Sequence, residues 1–282
     1  MLGAIIGDMV GSLYEFSHSD SKDFNIYDQK MRMTDDSLLT LAVAKVLMKH
    51  YPIKYDENSL KEIQKDLIEE FVEVWDKNRN VGWGALFCEW AYLAKQGHPR
   101  PYNSFGNGSA MRISPVGWIA NSEEEVKVLS KIVTEITHNH PEGIKGAEAV
   151  AMAIYLARNG CSKRDILKRI RKDYYPQVNN LDFYQLLNGG DVNDCICQVS
   201  VPIAFYHFFI SHDLEETIRS AVYYGGDSDT IAAIAGSIAE AYYQKEKLSD
   251  FEDKYLYLMI DPEVEKLIKR FHKTIGSKKF AN

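Results

Sequence analysis

The stretch LKEIQKDLIEEFVEVW, residues 60–75, places apolar side chains three or four positions apart. This spacing gathers them on one face of an α-helix, with Glu and Lys on the opposite face. Runs of β-branched residues at period two, the mark of strands, are nearly absent, so the sequence predicts an all-α fold. The same periodicity predicts further helices over residues 123–136, 144–157, 165–172, 214–223 and 264–271.

Two other segments, residues 37–48 and 231–243, are apolar nearly all round and rich in small residues. Such helices are buried and pack closely, so we expect both at the centre of the molecule. Pro202, inside residues 199–210, predicts a kink or a helix start. Without a low-complexity linker or clear repeat, the chain is interpreted as one compact domain, residues 1–282, of roughly a dozen helices.

Composition narrows the class of protein. Of 282 residues, 45% are hydrophobic, enough for a normal globular core, and the net charge of −7 argues against a broad electrostatic grip on nucleic acid. The four cysteines do not form a disulfide framework, and their spacing is not that of a zinc or redox pair. The N-terminus lacks the basic segment of a signal peptide, and no apolar run is long enough to span a membrane. We expect a cytoplasmic protein.

Two acidic motifs carry the main functional signal. Thr34-Asp35-Asp36-Ser37 and Asp227-Ser228-Asp229-Thr230 each directly precede one of the two apolar helices. A cap needs only one or two oxygens, whereas each motif offers three or four. Unpaired buried carboxylates are costly, and two Mg²⁺ ions would remove that cost. The residues alone leave open whether these motifs are two helix caps or one dinuclear metal site.

Three further segments have weaker signals. The glycine-rich loop at residues 104–112 could hold phosphates with backbone N–H groups, or be a plain glycine turn. His138 and His140 could be ligands or structural, and zinc is not predicted because no third nitrogen or sulfur ligand is evident. Asp8 and Glu15, in a glycine-punctuated N-terminal segment, are candidates for catalytic or supporting roles, although Glu15 could equally lie in a surface turn.

Five segments together resemble the ADP-ribosylglycohydrolase family, and they occur in the family's order from residue 3 to about residue 240. They are GAIIGDMVGSLYEF (3–16), MTDDSLLTLAVA (33–44), SFGNGSAMRISPVGW (104–118), THNHPEGIKGAEAVA (137–151) and GGDSDTIAAIAGSIA (225–239). One departure is Ser228, where the family often has threonine; serine keeps the hydroxyl and is not an expected ligand.

The resemblance implies an all-α fold with a dinuclear Mg²⁺ (or Mn²⁺) site in a cleft. The implied metal ligands are Thr34, Asp35, Asp36, Asp227, Asp229 and Thr230. Asp35 and Asp36 are also candidate catalytic residues, together with Glu15, which resembles the acidic residue of a mobile flap. The implied contacts to the diphosphate and ribose of ADP-ribose are Ser104, Gly106, Asn107, Gly108, Ser109 and His138, with the ring of Phe105 lining the cleft.

The activity implied by the resemblance is metal-assisted hydrolysis of the ribose glycosidic bond in ADP-ribosylated side chains, with arginine or serine as the modified residue. The expected partner is such a protein or an ADP-ribose conjugate, with no membrane or nucleic acid, and the expected state is a monomer. The alternatives are a hydrolase of small ADP-ribose conjugates or other phosphoesters, and a non-catalytic relative like some eye-lens crystallins. Two intact acidic motifs argue against the last, because a structural protein has no need for them.

Overall fold

The computed structural model describes residues 1–15, 19–178, 194–243 and 247–277, so Phe16 of the N-terminal motif and residues 278–282 of the predicted domain lie outside the described residues. The described residues form fourteen helices and no strand, which confirms the all-α prediction. They are α1 (Leu2–Gly11), α2 (Asp35–Lys49), α3 (Glu57–Lys77), α4 (Ala85–Lys95), α5 (Gly108–Met111), α6 (Ser114–Ile119), α7 (Glu123–Thr134), α8 (Pro141–Arg158), α9 (Lys163–Asp173), α10 (Cys197–Ile210), α11 (Leu214–Tyr224), α12 (Ser228–Tyr243), α13 (Asp250–Met259) and α14 (Pro262–Thr274).

The amphipathic stretch at residues 60–75 forms most of α3. Its buried side chains are Ile63, Leu67, Phe71 and Trp75, the row expected from the spacing. Asp56 caps the helix by accepting a hydrogen bond from the Ser59 amide. The other predicted helices lie within observed ones, except that α7 ends two residues before the predicted boundary.

Helices α1 and α12 pack backbone to backbone at the centre of the fold. Gly3, Gly7 and Gly11 lie one turn apart on α1 and face α12. A Cβ atom on Gly7 would lie 2.2 Å from the Ala232 carbonyl oxygen, and one on Gly11 would lie 2.3 Å from the Asp229 Cα. Only glycine allows this approach, which brings the N-terminal segment against the second acidic motif.

Some helices differ from the sequence prediction. Helix α1 is buried along its whole length, so it has no polar face and no amphipathic period that could reveal it. Pro202 lies inside α10, which begins at Cys197, so the interpretation of Pro202 as a helix start is wrong. The mainly apolar residues on both sides of Pro202 are buried within the core, and this packing keeps the helix continuous through the proline.

All four cysteines fall within the described ranges, and no disulfide joins them, as expected. Within those ranges, every helix is too short or too polar to cross a lipid bilayer.

Candidate metal and substrate site

The two acidic motifs meet at one place in the fold. Thr34 is the N-cap of α2, and the second motif runs into the first turn of α12. Carboxylate oxygens of Asp36 and Asp229 lie within 4.8 Å of each other and of an oxygen of Asp8. All three residues are buried. The resemblance implied that the motifs meet, and Asp8, a candidate for a catalytic or supporting role from the sequence, is the third carboxylate of the cluster.

The chemistry of this cluster suits a hard divalent cation. Among the described residues, no lysine, arginine or histidine forms an ion pair with any of the three carboxylates. The Asp36 Oδ1 atom is buried and has no hydrogen-bond partner in the described part of the chain. Burial, and then the neighbouring Asp229, raise the pKa of Asp36 well above its usual value. Carboxylate oxygens left in this state are the ligands that Mg²⁺ prefers.

Asp8, on α1, accepts three hydrogen bonds from the start of α2. Its Oδ2 atom accepts hydrogen bonds from the amides of Thr34, at 2.9 Å, and Ser37, at 3.1 Å. Its Oδ1 atom accepts a 2.7 Å bond from the Thr34 hydroxyl. Burial and then Asp229 raise the pKa of Asp8 to about 7. Asp8 therefore fixes the first acidic motif and adds charge to the cluster.

The second motif is held by two side chains from elsewhere in the chain. The Asp227 amide donates to Asp194 Oδ2 at 2.7 Å, and the Asn107 side-chain amide donates to Asp227 Oδ2 at 2.6 Å. The preceding Gly226 has φ +70°, and a Cβ there would collide with the Asp194 carboxylate. Burial, and then Asp229, raise the pKa of Asp227 well above its usual value. The role of Asp194 had no sequence signal, because it precedes the motif by 33 residues.

A cleft of about 370 Å³ opens onto the cluster. Its acidic lining residues are Glu15, Asp35, Asp36, Asp227 and Asp229, and Thr230 lies beside them. Glu15 is half-buried, and burial, followed by Asp229 and Asp8, raises the pKa of its carboxyl to about 7. The structure thus brings both catalytic candidates from α2 together with Glu15. Thr34 does not line the cleft, because its side chain caps α2 and bonds Asp8.

The glycine-rich loop forms a second wall. Ser104, Gly106, Asn107 and Gly108 line the cleft, together with His138. Ser109 is fully buried behind it, and its hydroxyl donates to the Gly143 carbonyl at 2.8 Å.

Phe105 differs from the expectation that its ring lines the cleft. The ring is 42% exposed and packs edge-on against His140, with ring centroids 5.2 Å apart. It lies outside the cleft because its two neighbours in the chain, Ser104 and Gly106, turn inward.

The remaining lining residues were missed by the sequence reasoning. Gly82, Gly84, Ala85, Leu86 and Phe87 form a further wall of the cleft. Leu86 is 56% exposed at its rim, and Phe87 stacks on Trp83 with ring centroids 5.1 Å apart. The paired glycines around Trp83, the first with φ +89°, are the one signal that could have indicated a functional loop here.

The floor of the cleft holds an arginine that the sequence analysis did not single out. Arg112 is fully buried and lines the cleft with Tyr102 and Met111. Its guanidinium lies 4.9 Å above the Phe71 ring, and its Nε and Nη1 atoms have no hydrogen-bond partner among the described residues. Burial lowers the pKa of Arg112 to about 10, so the group remains charged near neutral pH.

Comparisons with known proteins agree with this geometry. The family model described as ADP-ribosylglycohydrolase matches residues 1–278. Among curated proteins, mouse ADP-ribosylhydrolase ARH3 is 24% identical over 320 aligned residues, which cover 89% of this chain and 84% of that protein. ADP-ribosylarginine hydrolase Tri1 of Pseudomonas putida strain GB-1 is 24% identical over 267 residues, covering 86% and 69%. A solved structure described as an ADP-ribosylglycohydrolase-related protein complex superposes with a TM-score of 0.74 at 22% identity, covers 97% of each chain, and supports the fold.

Proposed function

The chain belongs to the ADP-ribosylglycohydrolase family, and on that premise we propose that it removes ADP-ribose from ADP-ribosylated protein side chains. The observation that carries this proposal is the buried cluster of Asp8, Asp36 and Asp229 beside a cleft walled by a glycine-rich loop. We propose the arginine linkage first and the serine linkage second. The P. putida relative, named as an ADP-ribosylarginine hydrolase, supports that order.

We propose that two Mg²⁺ ions, or Mn²⁺, bind at the cluster. The proposed ligands are Thr34, Asp35, Asp36, Asp227, Asp229 and Thr230. When bound, such ions stabilise negative charge on substrate oxygens and lower the pKa of water. The orphaned Asp36 Oδ1 atom supports this assignment, because a metal would supply the partner it lacks.

Glu15, Asp35 and Asp36 are the proposed acid–base groups. Hydrolysis of a glycosidic bond requires one group to protonate the leaving atom and another to take a proton from water. A pKa of about 7 lets Glu15 carry a proton and release it near neutral pH. In the metal-free protein, burial, and then Asp8, raise the pKa of Asp35 well above its usual value. With metal bound, Asp35 would be ionised and would act by accepting a proton. The dense carboxylates would also stabilise positive charge developing on the ribose.

The glycine-rich loop is proposed to hold the diphosphate. The amides of Gly106 and Asn107 are already bonded, to the Ser104 hydroxyl at 3.0 Å and the Cys195 carbonyl at 2.9 Å. We therefore propose the Gly108 amide and the His138 ring for the diphosphate contacts, because both residues line the cleft. Of the six diphosphate and ribose contacts expected from the sequence, this proposal keeps Gly108 and His138 for the diphosphate.

The decisive experiment measures ADP-ribose release from defined arginine-, serine- and glutamate-linked peptides, with Mg²⁺, with Mn²⁺ and with EDTA. We expect release from one linkage, loss of release in EDTA, and loss in Asp229→Ala. The control variant is Asp261→Asn, which alters the exposed N-cap of α14 far along the chain. Release that survives both EDTA and Asp229→Ala would contradict the proposal.

The same assay separates the alternatives. Turnover of simple phosphate esters without preference for ADP-ribose would indicate a phosphoesterase, and cleavage of free ADP-ribose conjugates but not peptides would indicate a small-molecule hydrolase. Metal binding without any turnover would indicate a non-catalytic, crystallin-like relative. Each result would replace the proposed substrate while leaving the metal site to be judged by its own binding measurement.

We further propose that residues 1–282 act as one domain, as a monomer, in the cytoplasm. None of the four cysteines is paired in a disulfide, a pattern typical of proteins from reducing compartments. Light scattering on the purified protein tests the monomer, because a dimer would double the mass of 32.2 kDa.

A further inference from the structure

Three buried side chains form a hydrogen-bonded chain under the glycine-rich loop. The Arg112 Nη2 atom lies 2.5 Å from the Thr137 hydroxyl oxygen, and that oxygen lies 2.8 Å from Nδ1 of His138. All three residues are at most 5% exposed. Polar groups this deeply buried have few alternative hydrogen-bond partners, so the donor and the acceptor of each bond are well defined.

The direction of the bonds follows from the first donor. A guanidinium can only donate, so Thr137 Oγ1 accepts from Arg112 and its own proton must point elsewhere. Three acceptors lie around that proton: His138 Nδ1 at 2.8 Å, the Thr134 carbonyl at 3.4 Å, and the Tyr102 hydroxyl, whose interaction with Thr137 is too long or too bent to count as a hydrogen bond. The nearer distance is ideal for a hydroxyl donor, and the farther one is long. The Thr137 proton therefore goes to His138 Nδ1.

This direction decides where His138 carries its own proton. A neutral imidazole has one protonated and one bare nitrogen, so a ring that accepts at Nδ1 is protonated at Nε2. Burial, and then the nearby Arg112, hold the pKa of His138 well below its usual value, so the ring is neutral at physiological pH. The bare nitrogen faces Thr137, and the N–H faces the other way.

The Nε2 atom faces the glycine-rich loop and the cleft. A Cβ atom built on Gly108 would lie 3.1 Å from His138 Nε2, and one on Gly106 would lie 3.6 Å from it. His138 lines the cleft, and no described residue bonds its Nε2 atom. The Nε2–H group is therefore available to a ligand that passes over these two glycines.

We propose that Arg112 and Thr137 are positioning residues that lock His138 in its Nε2–H tautomer, so that the ring donates to an anionic oxygen of the substrate at the glycine-rich loop. The chemical class of that anion, a diphosphate, rests on the proposed function; the tautomer does not. Arg112 donates to Thr137, and Thr137 in turn donates to His138 Nδ1, so the nitrogen that carries the ring proton is the one that faces the cleft.

The wild-type protein provides the first test. Nitrogen-15 NMR of histidine-labelled protein reports the protonated nitrogen of each ring, and His138→Gln identifies the His138 signals among the eight histidines. We expect His138 to show a protonated Nε2 and a bare Nδ1 in the free protein. A protonated Nδ1 would overturn the proposal without any variant of Arg112 or Thr137.

Variants of Thr137 provide the second test. Thr137→Val keeps the shape and removes the hydroxyl, so we expect the His138 signals to move towards the Nδ1–H tautomer. ADP-ribose binding, measured by calorimetry, should weaken about tenfold, the lower end for loss of a hydrogen bond to a charged group. Thr137→Ser restores the hydroxyl and should restore both readouts.

A neighbouring threonine supplies the matched control. Thr134 is fully buried, and its hydroxyl has no partner among the described residues, so Thr134→Val removes the same group from the same region. We expect wild-type His138 signals and wild-type ADP-ribose affinity. A shift of the His138 signals in Thr134→Val equal to that in Thr137→Val would overturn the proposal, because the effect would then come from packing alone.

The two readouts separate this inference from the proposed function. If the His138 tautomer behaves as expected but ADP-ribose does not bind, the lock stands and the substrate assignment fails. If ADP-ribose binds and Thr137→Val leaves the tautomer unchanged, the lock fails and the proposed function stands.

Discussion

Replacing Asp36 by asparagine should stabilise the metal-free protein and abolish its response to Mg²⁺. The Asp36 carboxylate lies beside those of Asp8 and Asp229, and no cationic side chain in the described part of the chain pairs with them. The Thr34 hydroxyl donates to Asp8 Oδ1 at 2.7 Å and lies 3.4 Å from Asp36 Oδ2, so an asparagine at position 36 loses no strong hydrogen bond from it. Its NH₂ group would replace the orphaned Oδ1 atom and could donate to a neighbouring carboxylate.

The size of the effect follows from the distances. Two unit charges 4.8 Å apart, the upper limit for this cluster, repel by about 3 kcal/mol at an effective dielectric constant near 20. Burial and Asp229 raise the pKa of Asp8 to about 7, so proton uptake by this carboxyl relieves part of that repulsion as the pH falls. We therefore expect the free energy of unfolding at pH 8 to rise by about 1–3 kcal/mol in Asp36→Asn. For a chain of this size that corresponds to a melting temperature higher by roughly 2–8 °C.

Thermal unfolding at pH 8, in EDTA and in Mg²⁺, is the assay. Wild type should be less stable than Asp36→Asn in EDTA and should gain stability with Mg²⁺. The variant should show no gain with Mg²⁺ and no ADP-ribose release. Asp56→Asn is the control, because Asp56 is an exposed N-cap on α3 where asparagine performs equally well. An apo variant less stable than wild type, together with equal Mg²⁺ stabilisation of both proteins, would refute the reasoning.

Three further perturbations test separate parts of the structure. Gly7→Ala places a methyl group 2.2 Å from the Ala232 carbonyl and should destabilise the protein by about 3 kcal/mol or more in denaturant unfolding, whereas Gly84→Ala, with open space around it, should stay near wild type. Asp194→Ala removes the acceptor of the Asp227 amide and should raise the Mg²⁺ concentration needed for half-maximal ADP-ribose release about tenfold; an unchanged Mg²⁺ requirement would exclude that role. Burial lowers the pKa of His207 to about 3. Below pH 6.5 the unfolded state therefore takes up a proton that the folded state excludes, and the free energy of unfolding decreases as the pH is lowered. Between pH 7 and pH 5, His207→Asn should lose about 2 kcal/mol less stability than wild type, and equal losses would show that His207 does not contribute.

The sequence predicted the helices in which buried and exposed residues recur with the period of an α-helix. The period in residues 60–75 indicated α3, and its buried row is the predicted one. Helix α1 has no exposed face, so periodicity could not reveal it. Its glycines were visible in the sequence only as punctuation, and the structure shows that they allow close helix packing.

The site was predictable where its residues form a local motif. The motifs at Thr34 and Asp227 combine a cap with surplus carboxylates, a pattern visible in four residues. Asp8 was a candidate for a catalytic or supporting role, but its contacts with Thr34 and Ser37 join segments distant in the chain and could not be read from its neighbours. The contacts of Asp194 and Arg112 are equally distant in sequence, and neither residue was singled out. Phe105 lies within a local motif, and the prediction that its ring lines the cleft was wrong. Ser104 and Gly106 on either side of it line the cleft, whereas the Phe105 ring points away and packs against His140.

The glycine row on α1 has a consequence for how this scaffold can diversify. Because Gly3, Gly7 and Gly11 leave no room for a methyl group, the register between α1 and α12 cannot drift by accumulated small substitutions. The carboxylates mounted on these two helices therefore keep their spacing while other positions change. The loop around Trp83 has more freedom to vary, because a side chain added at Gly82 or Gly84 would meet open space. Substitutions in that loop would change the rim of the cleft without altering the carboxylate cluster.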